Sequence, residues 1–163
     1  MDGGIEISSN NNFREEIFDK SPIGILFYDK QGKLIEANQS ALKIAGIRPS
    51  TNFEEINLFD NRDVALKKDE LLKDGLIKFQ ALLDFKGNNI GFKNSKKSGK
   101  VFIDWIISRI DSGFLVQIQD ITVSKIAEDS LRESEEKYHR LFDDDLTGDF
   151  IANCDGEILE CNP

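Results

Sequence analysis

Apolar and polar positions along the chain switch between a helical and a strand period, and the switches mark its elements. Phe13, Ile17 and Phe18 recur at helical spacing behind Asn10 to Asn12, whose side chains suit an N-cap, and Glu15 and Glu16 fall in the first turn. This predicts a short amphipathic helix that ends before Pro22. Gly24 to Tyr28 is an apolar run, Asp29-Lys30-Gln31-Gly32 has turn chemistry, and Lys33 to Ala37 follows, so a β-hairpin is predicted. Asn38 is placed to cap a helix over Gln39 to Ala45, with Ala41, Leu42 and Ala45 on one face and Gly46 as its stop. Pro49 to Asp60 is irregular. Asp63 to Lys73 reads as a helix with Leu66 and Leu71-Leu72 facing inward, ending near Gly75. Phe79 to Phe85, Val101 to Ile110 and Phe114 to Ile121 read as strands, the second rich in β-branched residues and carrying Trp105. Gly87-Asn88-Asn89 and Asp111-Ser112-Gly113 separate them.

From Val123 to Phe142 the pattern changes. There is no Gly or Pro, and 9 of these 20 residues are charged. Ala127, Leu131, Ser134, Tyr138 and Leu141 are spaced 4, 3, 4 and 3, a heptad seam with Ser134 at one core position. A lone helix of this kind is marginal in water, so the seam asks for a partner helix or a domain to lean on. Phe18 to Gln39 then aligns without gaps to Phe142 to Pro163 at an offset of 124 residues. Six of the 22 positions are identical: Phe18/Phe142, Asp19/Asp143, Gly24/Gly148, Gly32/Gly156, Glu36/Glu160 and Asn38/Asn162. The expected organisation is a disordered N-terminus over 1–12, a domain over 13–122 that includes the N-terminal helix, a connecting, coiled-coil-like helix over 123–142, and the truncated start of a second copy over 143–163.

Composition narrows the function classes. Of 163 residues, 39% are hydrophobic and 31% charged, the balance of a soluble globular chain large enough to need no staples. The net charge is −9, and residues 127–163 carry all of it, with 12 Asp and Glu against 3 Lys and Arg. An acidic balance disfavours nucleic acid as a partner, because phosphate binding needs clustered cations. The one basic cluster, Lys93, Lys96, Lys97 and Lys100 around Ser98-Gly99, reads as a solvated hairpin turn. The N-terminus lacks a basic segment followed by an apolar core, and runs such as Ile23 to Tyr28 fall far short of the ~20 residues that span a bilayer. A cytoplasmic location without membrane contact from this segment is expected. Both Cys lie after residue 150, which argues against a disulfide framework.

Several motifs, in this order and with this repetition, resemble the PAS family of sensory modules. They are Phe18-Asp19-Lys20-Ser21-Pro22-Ile23-Gly24-Ile25, then Asp29-Lys30-Gln31-Gly32-Lys33-Leu34-Ile35-Glu36-Ala37-Asn38, then Ser98-Gly99-Lys100 before a long strand, and Asp120-Ile121-Thr122 at the domain exit. Leu131-Arg132-Glu133-Ser134-Glu135-Glu136-Lys137-Tyr138 followed by Leu141-Phe142 is similar to the joint between tandem PAS domains. The resemblance implies an α+β PAS fold, a five-stranded antiparallel sheet with short helices over one face, followed by a long C-terminal helix. It also implies that the exit triplet couples the sheet to an output helix through Asp120, Thr122 and a nearby cation that pairs with Asp120; the Thr122 hydroxyl, just before that helix, is expected to accept an N-cap hydrogen bond from its first turn. The usual acidic residue and Arg after the triplet are replaced by Val123 and Ser124, which leaves Lys125 as that cation.

The residues limit the chemistry. A haem ligand on the helix near Asp63 to Lys73 is missing, since the chain's one His is His139 on the connecting helix. A covalent flavin adduct or thioester chromophore needs a Cys, and residues 1–153 have none. The expectation is no cofactor, with a non-covalent small ligand of unknown identity still compatible with the chain. Catalytic residues are not expected, because no phosphate loop is spelled around Gly87 to Gly99 and His139 lacks a phosphoacceptor context. Asp143-Asp144-Asp145 reads as a solvated helix end and Cys154 with Cys161 as reduced thiols, so no metal site is expected. Candidate pocket residues are Phe27, Tyr28, Leu42, Phe59, Leu66, Phe79, Trp105 and Ile107, with Phe114 beside them. Tyr28 and Trp105 stand out because their polar tips need partners if buried. A homodimer is expected through Phe13, Ile17, Ala127, Leu131, Tyr138 and Leu141. The function expected is a PAS sensory and dimerisation module that feeds a downstream PAS and output domain, that of a sensor histidine kinase in a two-component phosphorelay. The alternatives are a structural dimerisation module without ligand and the sensor of a diguanylate cyclase.

Overall fold

Alternating apolar positions between Gly24 and Asp120 fold into one antiparallel sheet in the structure, a computed structural model that describes residues 13, 15–47, 52–85, 99–143, 147–148 and 150–161. Residues 1–12, the Gly87-Asn88-Asn89 break, Lys93, Lys96 and Lys97, and Asp144-Asp145 lie outside the described residues. The chain divides into two compact units, Met1–Thr122 and Val123–Pro163.

In the first unit, residues 15–20 form helix α1. Strands β1 (Gly24–Asp29) and β2 (Leu34–Ala37) form the hairpin, and α2 (Gln39–Ala45) follows. Two 3₁₀ turns, Phe53–Glu55 and Leu58–Asp60, occupy the irregular stretch. Helices α3 (Arg62–Leu66) and α4 (Lys68–Asp74) lead into β3 (Leu76–Asp84), β4 (Lys100–Ile110) and β5 (Gly113–Asp120). The strand order is β2-β1-β5-β4-β3, with every neighbouring pair antiparallel. This is the expected α+β arrangement of five strands and short helices, with the long helix α5 (Thr122–Asp143) after it.

One face of the sheet is the core. Leu26, Ile77, Ile103, Trp105, Ile107, Val116 and Ile118 are buried there, under Ala41 from α2, Val64 from α3 and Leu71 from α4. Close packing explains Gly24, since a Cβ there would stand 2.6 Å from Ile118 Cγ1 and 2.9 Å from Ala41 Cα.

The helix expected over Asp63 to Lys73 is two helices. Lys67, at φ −104° and ψ 10°, ends α3 and starts α4 without a side-chain cap. Val64 and Leu71 are buried, whereas Leu66 is 76% exposed and Leu72 is 40% exposed. Leu66 lies two residues past Val64, about 200° round a helix, so it points away from the core. Strand β3 also begins earlier than Phe79, because Leu76 already pairs with Ser108.

The turn between β1 and β2 is built by Asp29. Its Oδ1 accepts from the backbone N–H of Gln31 (2.9 Å) and Lys33 (2.8 Å), and Gly32 takes φ +82°. The second unit repeats this hairpin in β6 (Phe150–Ala152) and β7 (Ile158–Cys161). Leu26↔Ala37, Phe27↔Glu36 and Tyr28↔Leu34 recur as Phe150↔Cys161, Ile151↔Glu160 and Ala152↔Ile158, with the register shift at the same step. Asn153 stands where Asp29 does: its Oδ1 accepts from Asp155 (3.0 Å) and Glu157 (2.9 Å), and Gly156 takes φ +85°. The 124-residue offset in the sequence is therefore also an offset in hydrogen-bond register.

Candidate functional site

Strand alternation sends adjacent side chains to opposite faces, and this sorts the pocket candidates. Tyr28, Trp105 and Ile107 are buried in the core, with Leu42, Phe59 and Phe79 half-buried at its border. Phe27 points to the other face of the sheet, where its ring stacks on Phe18 of α1 at 5.9 Å. It does not join Tyr28, and Leu66 is on the outside as described above. Phe114 is buried and meets Phe59 edge-on at 5.5 Å.

Trp105 is the centre of the site. Across the β3–β4 ladder it faces Phe79, and the two rings lie parallel at 5.8 Å. The indole is 2% exposed, and its Nε1 is the one buried side-chain polar atom without a hydrogen-bond partner among the described residues. Burial also pushes the Tyr28 phenol well above its ordinary pKa, so that side chain stays neutral. Phe79 also lines a groove of about 600 Å³ between α3–α4 and β3. Arg62, Asp63, Lys67 and Glu70 line it together with Leu66, and the Lys67 ammonium sits 5.8 Å from the centre of the Phe79 ring. None of these groove charges stood out in the sequence.

At the exit from the sheet, the backbone of Phe102 in β4 is held twice. Its carbonyl accepts from Ile121 N–H (2.9 Å), and its N–H donates to Thr122 Oγ1 (3.0 Å). Thr122 thus extends the ladder with its side chain and does not cap α5 with its hydroxyl, as the sequence reading expected. The Thr122 N–H is taken by Asp120 Oδ1 at 3.0 Å, so Asp120 supplies the cap. Lys125, expected to pair with Asp120, donates to Glu128 Oε2 at 2.8 Å within its own helix, and that hydrogen bond raises its pKa. Phe13, Ile17, Ala127, Leu131, Tyr138 and Leu141 are all exposed in the single chain.

Comparison with known proteins fits this geometry. The profile of the PAS domain family matches residues 13–76. A PAS domain thus lies at residues 13–76. Solved PAS domains share its fold: one from a two-component sensor histidine kinase covers 70% of this chain and 98% of its own at TM-score 0.54 and 10% identity. Another, from an HTR-like protein of Haloarcula marismortui, covers 70% and 99% at TM-score 0.53 and 18% identity. In sequence the chain is 32% identical over 161 residues to sporulation kinase E of Bacillus subtilis (strain 168), across 96% of this chain and 21% of that relative. The chain therefore spans about a fifth of the length of this curated relative. Among the described residues, no helix is long and apolar enough to cross a membrane.

Proposed function

We propose that this PAS domain is the cytoplasmic sensory and dimerisation module of a sensor histidine kinase, passing a small-molecule or conformational signal through α5 to an output domain in a two-component phosphorelay. The observation that carries the reading is the reach of the similarity to the Bacillus subtilis kinase: it runs through α5 and the second hairpin as well as the PAS domain. The absence of His and Cys from residues 1–138 supports sensing without haem or a covalent flavin. The exposed seam on α5 and the N-terminal Phe13 and Ile17 support a homodimer. The repeated register of β6–β7 supports reading residues 143–163 as the opening of a second PAS domain.

The test lies at the exit from the sheet. Asp120→Ala with Thr122→Ala removes the α5 cap and one hold on Phe102, each of roughly 1 kcal/mol. The equilibria that such junctions bias need only ~1–3 kcal/mol. In the full-length protein the double variant is expected to retain its folded state while shifting autophosphorylation several-fold. Unchanged autophosphorylation would reduce the junction to a connector and favour a structural role for the domain.

A further inference from the structure

The Trp105 indole N–H is buried with no acceptor, in a chain whose other buried polar side chains among the described residues are satisfied. Leaving such a donor unpaired costs stability, so a native core retains one where something else satisfies it. Around it the core is apolar: Ile77, Ile103 and Ile107 are each at most 2% exposed. A charged group would be poorly tolerated there. The charges near the site line the groove, with the Lys67 ammonium 5.8 Å from the centre of the Phe79 ring. Phe79 both lines the groove and stacks on the indole. At the α3–α4 joint, Lys67 starts α4 without a side-chain cap.

We propose that Trp105 Nε1 donates to an uncharged, flat organic ligand bearing one acceptor, a carbonyl oxygen or an unprotonated ring nitrogen, which enters by the groove as Phe79 swings off the indole. This rests on the sensing reading above and names the ligand class for it. Flatness follows from the parallel Phe79–Trp105 stack whose place the ligand would take. Neutrality follows from the apolar core, and the acceptor from the donor-only indole.

Acetophenone and its hydrocarbon counterpart α-methylstyrene make the test, because they differ chiefly in the acceptor, a C=O in one and a C=CH2 in the other. The chain holds one Trp, so the indole cross-peak in a ¹⁵N-labelled sample reports this site alone. Acetophenone is expected to move that resonance downfield and to bind about tenfold tighter than α-methylstyrene. Trp105→Phe should erase the preference while keeping the hydrocarbon's affinity, and Phe79→Ala should speed association. Equal affinity of the two probes, or an indole resonance that neither moves in wild type and Phe79→Ala alike, would overturn the proposal. The wild-type comparison decides the matter even where Trp105→Phe fails to fold. Equal binding of both probes would sink the acceptor class alone, whereas the sensing reading falls only on the kinase output test.

Discussion

Asn38 is fully buried, and its amide is used to capacity. Its Oδ1 accepts from Ile25 N–H (3.0 Å) and Ala41 N–H (2.8 Å), and its Nδ2 donates to the carbonyls of Phe18 and Ile23, both at 2.9 Å. One side chain thus ties the end of α1, the start of β1 and the first turn of α2. The sequence disclosed only the last of these, because an N-cap is a local pattern and the other partners lie 13 to 20 residues away. Asn38→Ala is expected to cost about 2–4 kcal/mol, a cap plus several buried groups left unpaired. A urea titration showing a loss below about 0.5 kcal/mol, the range of ordinary surface changes, would contradict this. Tyr28 supplies a second residue-scale expectation. Burial raises its pKa above the ordinary 10.0, so the folded state holds the phenolic proton longer than the unfolded chain does. Its contribution to stability is therefore full below about pH 10 and is lost as pH rises beyond that value. Unfolding free energies of wild type and Tyr28→Phe, compared from pH 8 to 11, should run parallel up to about pH 9 and then converge or cross as only the wild type carries this loss. Parallel curves throughout would show that the phenol reaches water.

Elements whose limits are written in turn or cap residues were legible, and those limited by packing were not. Asn38 and Gly46 bracket α2, and the structure ends the helix with Gly46 at φ 66°. The break at Lys67 carries no Gly or Pro, so the periodicity ran through it and turned Leu66 inward. Aromatic content marked Phe27 and Tyr28 alike as pocket residues, since composition does not say which face of a strand meets the helices. The outcome at Thr122 has a similar cause: a hydroxyl before a helix reads as a cap, and only the fold brings Phe102 N–H within its reach. Helix α5 poses a different problem at this scale. Ala127, Leu131, Tyr138 and Leu141 keep heptad spacing yet are exposed in the single chain, with Leu131 at 62% and Leu141 at 66%. A pair of such helices would bury the seam, and a charge at its centre would oppose that. Leu131→Asp is expected to convert a dimer into a monomer by light scattering with little change in the circular dichroism of the first unit. A wild type that is monomeric at high micromolar concentration would end the dimer proposal.

At the scale of the whole molecule, the two copies of one hairpin differ in what surrounds them. Leu26 and Leu34 are 0% and 4% exposed, because β5 and α2 complete the sheet and cover its face. Their counterparts at the 124-residue offset, Phe150 and Ile158, are both 63% exposed, and Leu159 is 65% exposed. Identical register and turn bonding thus carry opposite burial, so the local sequence accounts for the hairpin's shape but not for its stability. A two-stranded hairpin with its apolar side chains in water is at best marginal. If residues 143–163 open a second PAS domain, the missing stability comes from strands equivalent to β5 and a helix equivalent to α2, supplied by further chain. Amides of Phe150 to Leu159 are then expected to exchange with solvent almost unprotected in this 163-residue chain, while those of Ile103 to Ile107 exchange only by global unfolding. In a longer chain that carries the rest of the second copy, the hairpin amides should slow to the rate of their counterparts in β1 and β2. Strong protection of the hairpin in the 163-residue chain at low protein concentration would mean that it is stabilised without a second domain, and the proposed tandem arrangement would lose its physical basis.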